Sequence, residues 1–99
     1  MDLKHKVAIV TVASAGIGRE LAREFALQGA RVICAARREQ ELAETVSLIQ
    51  DEGGEATAIP TDVTDRAQVN HMVVETLKRF QQIDLLFNNA ARLQAIGAT

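Results

Sequence analysis

The chain has few means of reaching outward by charge, stacking or cross-linking. Among its 99 residues there is no Trp, no Tyr and only three Phe, so it lacks the aromatic surfaces on which single-stranded nucleic acid stacks. Its net charge of −2 carries none of the basic excess of a phosphate-backbone binder. A single cysteine, Cys34, excludes an internal disulfide and fits a reducing compartment. Its neighbours Val32, Ile33, Ala35 and Ala36 are apolar, so it reads as a small buried residue rather than a reactive thiol. No apolar run approaches the length of a membrane span. Met1 to Lys6 contain no apolar signal core, and the expectation is a cytoplasmic chain. His5 and His71 stand far apart with no second ligand at metal spacing, so both read as surface histidines.

What is present suits one small domain with a modest core: 47% of the residues are apolar and 24% charged. The apolar period switches repeatedly. Residues 7–12 form a continuous apolar run of the kind buried on both faces of a sheet. Ile17, Leu21, Ala22, Phe25 and Ala26 follow at helical spacing, with Gly29 placed to end that helix. Residues 31–36 repeat the buried-strand pattern. Residues 38–52 read as a second helix with Leu42, Val46 and Ile49 on one face, and Glu39, Glu41, Glu44, Asp51 and Glu52 mostly on the solvated side. Residues 56–59 make a weaker strand closed by Pro60. Asp65, with Gln68 three residues on, predicts a capping box for a third helix whose inner face carries Val69, Met72, Val73, Leu77 and Phe80. Residues 83–87 form a fourth strand, and residues 88–99 show no clear period. The order βαβαβαβ predicts an α/β fold with a doubly wound parallel sheet, covered on both faces.

Residues 10–18, VTVASAGIG, fall where the first strand hands over to the first helix. The first N–H groups of a helix are unpaired and sit at the positive end of its dipole. Small residues let an anion approach them, so such a turn can hold phosphate without a charged side chain. A plain packing turn would also use glycine, and the motif alone does not separate the two. The end of the second strand adds information. In dinucleotide-binding folds a carboxylate here bonds the ribose 2′-OH and selects NAD. This chain has Ala36 followed by Arg37 and Arg38, two forked cations suited to a 2′-phosphate and opposed to the dipole of the helix they precede. Asp62-Val63 after the third strand and Asn88-Asn89 after the fourth also fall at carboxyl ends of strands, where open α/β sheets bind ligands. Each could equally serve as a turn or loop-tying residue.

Together these stretches resemble the short-chain dehydrogenase/reductase family, over essentially the whole chain. Thr11, Val12, Gly16 and Gly18 match its Thr-Gly-x-x-x-Gly-x-Gly motif, Asp62 and Val63 its adenine-contacting pair, and Asn88, Asn89, Ala90 and Ala91 its Asn-Asn-Ala-Gly motif. The resemblance implies a Rossmann half-domain over residues 1–99 binding a nicotinamide dinucleotide. Thr11, Ala13, Ser14, Gly16, Ile17 and Gly18 would lie along the cofactor, Asp62 and Val63 at its adenine, and Asn88, Asn89 and Ala90 at the end of the fourth strand. Arg37 matches the family's frequent NADP-selecting position, with Arg38 as helper, so NADP is expected over NAD. Two residues depart from the pattern: Val12 replaces the first glycine, which is expected to push the loop outward and weaken pyrophosphate binding, and Ala91 replaces the last.

The family's reacting groups are a Ser and a Tyr-x-x-x-Lys segment on later elements, and this chain contains no tyrosine. Two functions stay open. One is the NADP-binding half of a reductase that moves hydride between cofactor and a carbonyl or alcohol, with no catalytic residue and no turnover in these 99 residues alone. The other is a non-catalytic nucleotide-binding or interaction module. In either case the fourth strand, apolar on both faces, is expected to lie at a sheet edge and to support self-association.

Overall fold

A computed structural model describes residues 2–11, 13 and 16–88. The chain runs β1 (Val7–Thr11), α1 (Gly16–Leu27), β2 (Arg31–Ala36), α2 (Glu39–Asp51), β3 (Glu55–Pro60), α3 (Arg66–Phe80) and β4 (Leu85–Phe87). The four strands form one parallel sheet in the order β3-β2-β1-β4, the doubly wound arrangement the sequence predicts.

Strand alternation explains why β1 and β2 are apolar without interruption. Ala8, Val10, Val32 and Cys34 face α1 and α2, where Ala22, Ala26, Leu42 and Ile49 meet them. Val7, Ile9, Ile33 and Ala35 face the other way, onto Met72 of α3. Both faces are covered, so no position can be polar without a partner. The buried positions of α1 are Gly18, Ala22 and Ala26, all small, which lets its backbone lie close to the sheet. Cys34 is fully enclosed, and burial pushes its thiol pKa up to about 12, so it is an inert core residue.

Gly29 closes α1 as expected. At φ 101° it sits in the left-handed region, where its N–H donates to the Ala26 carbonyl (3.0 Å) while the Ala30 N–H reaches the Phe25 carbonyl (3.1 Å). A side chain there would also meet the Lys4 backbone at 3.2 Å. The Gly53-Gly54 pair ends α2 with the same two bonds.

Several expectations change in detail. Ile17 is 72% exposed and Leu77 43% exposed, so neither belongs to the inner face of its helix. On α3 the inward positions are Met72 and Thr76, and Leu77 lies one helical step further round; the Thr76 hydroxyl is satisfied by the Met72 carbonyl at 2.8 Å. On α2 it is Thr45 that is fully buried between Leu42 and Ile49, with Val46 only partly so. Residue 38 is the N-cap of α2 rather than its first helical residue. The capping box at α3 is rearranged. Asp65 accepts from the Ala67 N–H (3.0 Å), but Gln68 Oε1 takes the N–H of Asp62 (2.8 Å) and not that of Asp65. The third strand runs one residue further at each end and includes Pro60, tolerated because β3 is an edge. Among the described residues no helix is long and apolar enough to cross a membrane.

The fourth strand is shorter than its apolar pattern. Asp84 bounds it at its amino end: its own N–H donates to the Val7 carbonyl (2.9 Å), while its carboxylate Oδ2 takes the Val7 N–H (2.8 Å) that a continued ladder would give to a backbone carbonyl. Gln82 Nε2 supports the same oxygen at 2.7 Å and also donates to the His5 carbonyl at 2.7 Å. The Val7 N–H, followed by Gln82, holds the Asp84 carboxyl below its usual pKa. A carboxyl depressed in the fold contributes stability that is complete above the unfolded value of about 4 and disappears as pH falls through the lower folded value. We therefore expect Asp84→Asn to be less stable than the parent at neutral pH, with the gap closing below about pH 4. Denaturant melts at stepped pH check this; a gap independent of pH would show that the charge at Asp84 contributes nothing.

Candidate functional site

Parallel register brings the carboxyl ends of all four strands to one edge of the sheet. Thr11 lies across from Ala35, Ala36 from Pro60, and Val10 from Phe87. The residues that follow the strands, Ala13, Arg37, Asp62 and Asn88, are thereby gathered along that edge from across the chain. Ser14, Asn89 and Ala90, and the motif departures Val12 and Ala91, lie outside the described residues.

The turn into α1 opens on Gly16 at φ 62°, with nothing within 4 Å of where a Cβ would stand. Its glycine is required by backbone conformation, and the space in front of it is open. Ile17 projects beside it, and Gly18 is buried against the sheet. No acidic residue occupies the first turn of α1, so the turn itself sets no side-chain anion at the positive end of the helix dipole. Ala13 is held on both sides: its N–H donates to the Ala35 carbonyl (3.3 Å) and its carbonyl accepts from the Thr45 hydroxyl (2.7 Å).

The two arginines after β2 separate. Arg38 pairs with Glu41 one turn into α2, at 3.2 Å, in an exposed contact of the kind that contributes little. Arg37 is exposed and makes no hydrogen bond or ion pair among the described residues; its charge adds a small part to the forces that keep the Asp62 carboxyl ionised. Asp62 is itself a turn residue. Its Oδ1 accepts from the Thr64 hydroxyl (2.6 Å) and the Thr64 N–H (2.9 Å), and these bonds, the hydroxyl first, lower its pKa. The turn function and a ligand-facing position coexist, since Oδ2 has no hydrogen bond among the described residues.

On the β4 side the Thr11 hydroxyl lies 3.0 Å from Asn88 Oδ1 and 3.3 Å from the Phe87 carbonyl, a tie between two strand ends. Thr11, Val63, Arg66, Leu86 and Asn88 line a cavity of about 380 Å³. Sequence reasoning missed Arg19, Thr45 and Thr64. The only signal for Thr45 was a hydroxyl in an otherwise apolar position of α2. The arrangement offers the N-terminal turn of α1, an exposed guanidinium, an ionised carboxylate and an amide along one rim. That donor set fits a ligand carrying separated anionic groups and a polar ring.

A family model described as short chain dehydrogenase matches residues 6–98, and the chain belongs to that family. It is 44% identical over 88 residues to the uncharacterized oxidoreductase YxjF of Bacillus subtilis, an alignment covering 89% of this chain and 34% of that protein. The fold matches a short chain dehydrogenase/reductase from Burkholderia phymatum solved with NAD, with a TM-score of 0.82 and 34% identity over 87% of this chain and 31% of that one. It also matches an actinorhodin polyketide ketoreductase solved with NADPH, with a TM-score of 0.84 and 37% identity over 88% of this chain and 33% of that one. The chain thus spans about a third of the length of these relatives.

Proposed function

We propose that residues 1–99 are the cofactor-binding half-domain of a cytoplasmic, NADP-dependent short-chain reductase acting on a carbonyl or alcohol. The observation that carries the cofactor choice is Arg37: an exposed guanidinium at the carboxyl end of β2, unpaired among the described residues, where a carboxylate would be needed to favour NAD. Relatives solved with NAD and with NADPH share this fold, so the fold alone does not choose the cofactor, and in this reading the end of β2 does. In this reading the α1 N-terminus, with Thr11, Ala13, Ser14, Gly16, Ile17 and Gly18, receives the pyrophosphate. Arg37 receives the 2′-phosphate, with Arg38 released from Glu41 to assist. Asp62 and Val63 hold the adenine, and Asn88, Asn89 and Ala90 border the nicotinamide side. The bound cofactor supplies hydride. The chain's own residues bind and orient it, and these 99 residues, with no tyrosine, are expected to bind without turnover.

A charge-assisted hydrogen bond contributes about 1.5–3 kcal/mol, so NADP(H) should bind roughly ten-fold or more tightly than NAD(H). Arg37→Asp should reverse the order, repelling the phosphate and offering the 2′-OH an acceptor. Calorimetric titration of both cofactors into both proteins decides it, and equal affinities in the parent would refute the assignment.

One observation also favours association between copies. Among the described residues β4 is a sheet edge, and its Leu85 is 36% exposed on the face shared with α1. Sedimentation across a concentration series should show reversible self-association that Leu85→Lys weakens. A monomer at every concentration would count against this edge as an interface.

A further inference from the structure

The anion-binding turn and the arginine at the end of β2 belong to different segments, yet one buried hydroxyl joins them. Thr45 lies in the middle of α2 and is fully enclosed. Arg19 Nε is 2.8 Å from its Oγ1, the Ala13 carbonyl is 2.7 Å away, and the Glu41 carbonyl 3.3 Å. The direction of these bonds follows from chemistry: a guanidinium only donates and a carbonyl only accepts. The hydroxyl therefore accepts from Arg19 and gives its single proton to the shorter contact, Ala13.

Arg19 stands in the first turn of α1, where a cation opposes the helix dipole. Acceptors on α2 offset that cost. Besides Thr45, its guanidinium donates to the Glu41 carbonyl (3.0 Å) and lies 3.7 Å from the Glu44 carboxylate. The result is a closed triangle. The turn at Ala13, the first turn of α1 and the body of α2 are cross-braced through one oxygen. Because α2 begins at Glu39, two residues after Arg37, the same brace locates Arg37 relative to the turn.

We propose that Thr45, with Arg19, is a positioning residue that sets the spacing between the pyrophosphate-binding turn and Arg37. It would thereby tune binding of ligands that carry both a pyrophosphate and a ribose 2′-phosphate. The proposal rests on the dinucleotide reading above. A ligand with a single anionic group at Arg37 does not sense that spacing, whereas one spanning both sites does.

The test compares NADP⁺ with adenosine 2′-monophosphate on the parent, Thr45→Val and Thr45→Ser. Valine keeps the shape and removes the hydroxyl; serine keeps the hydroxyl. Thr45→Val should weaken NADP⁺ roughly ten-fold through lost preorganisation, yet change adenosine 2′-monophosphate by less than about two-fold. Thr45→Ser should restore NADP⁺ binding. Equal loss for both ligands, no loss for either, or failure of serine to rescue would overturn the proposal. Should Thr45→Val not fold, Arg19→Lys, which keeps the charge and removes the fork, must give the same selective loss. Amide hydrogen exchange of the ligand-free proteins separates the two ideas. Faster exchange of the Ala13 amide, which donates to the Ala35 carbonyl, in Thr45→Val supports the brace even if the parent binds no NADP⁺, in which case the dinucleotide reading is what fails. Unchanged exchange there overturns the brace itself.

Discussion

Burial of β1 on every side is the constraint from which the rest of this structure follows. Val7, Ala8, Ile9 and Val10 have no exposed surface at all, because β2 and β4 cover the strand's edges and helices cover its faces. β1 ends at Thr11 and α1 begins at Gly16, so the connection between sheet and helix is short. The turn inherits a fixed origin. Its first described residue, Ala13, is already bonded to β2 through the Ala35 carbonyl and to α2 through Thr45. An anion site built from backbone N–H groups depends on such an origin, since it has no long side chains with which to adjust.

The same strand is tied at both ends to β4 by polar groups, in a region where apolar packing gives little directionality. At the amino end Asp84 and Gln82 gather the backbone of residues 5–7. At the carboxyl end Thr11 meets Asn88. Between these ties β4 contributes three strand residues. Hydrophobic burial brings the two strands together, but hydrogen bonds with definite donors and acceptors fix their register, and register decides which residues reach the rim.

Charged residues follow a related division. The exposed pairs, such as Arg38 with Glu41, sit in high dielectric and hold little in place. Arg19 is different, because its bonds end on a buried hydroxyl and a main-chain carbonyl rather than on a solvated carboxylate. Arg37 differs again, lying at the rim with its donors uncommitted among the described residues. The three arginines thus differ in what lies within reach of each guanidinium.

The sequence alone determined the order of elements, the parallel sheet and the edge at which Thr11, Gly16, Arg37, Asp62 and Asn88 collect. These depend on the local period of apolar residues and on where glycine interrupts it, and both are properties of neighbouring residues in the chain. It also carried the family, through motifs read at the ends of strands. Only the tertiary structure decided that Thr45 is buried more completely than Val46, that Leu77 turns outward, that Gln68 Oε1 takes the N–H of Asp62 rather than that of Asp65, and that β4 begins only after Asp84. Each of these is a choice among near-equivalent local options. Where a hydrogen bond settles it, the partner lies 6 to 77 residues away, at a distance in space that no periodicity encodes.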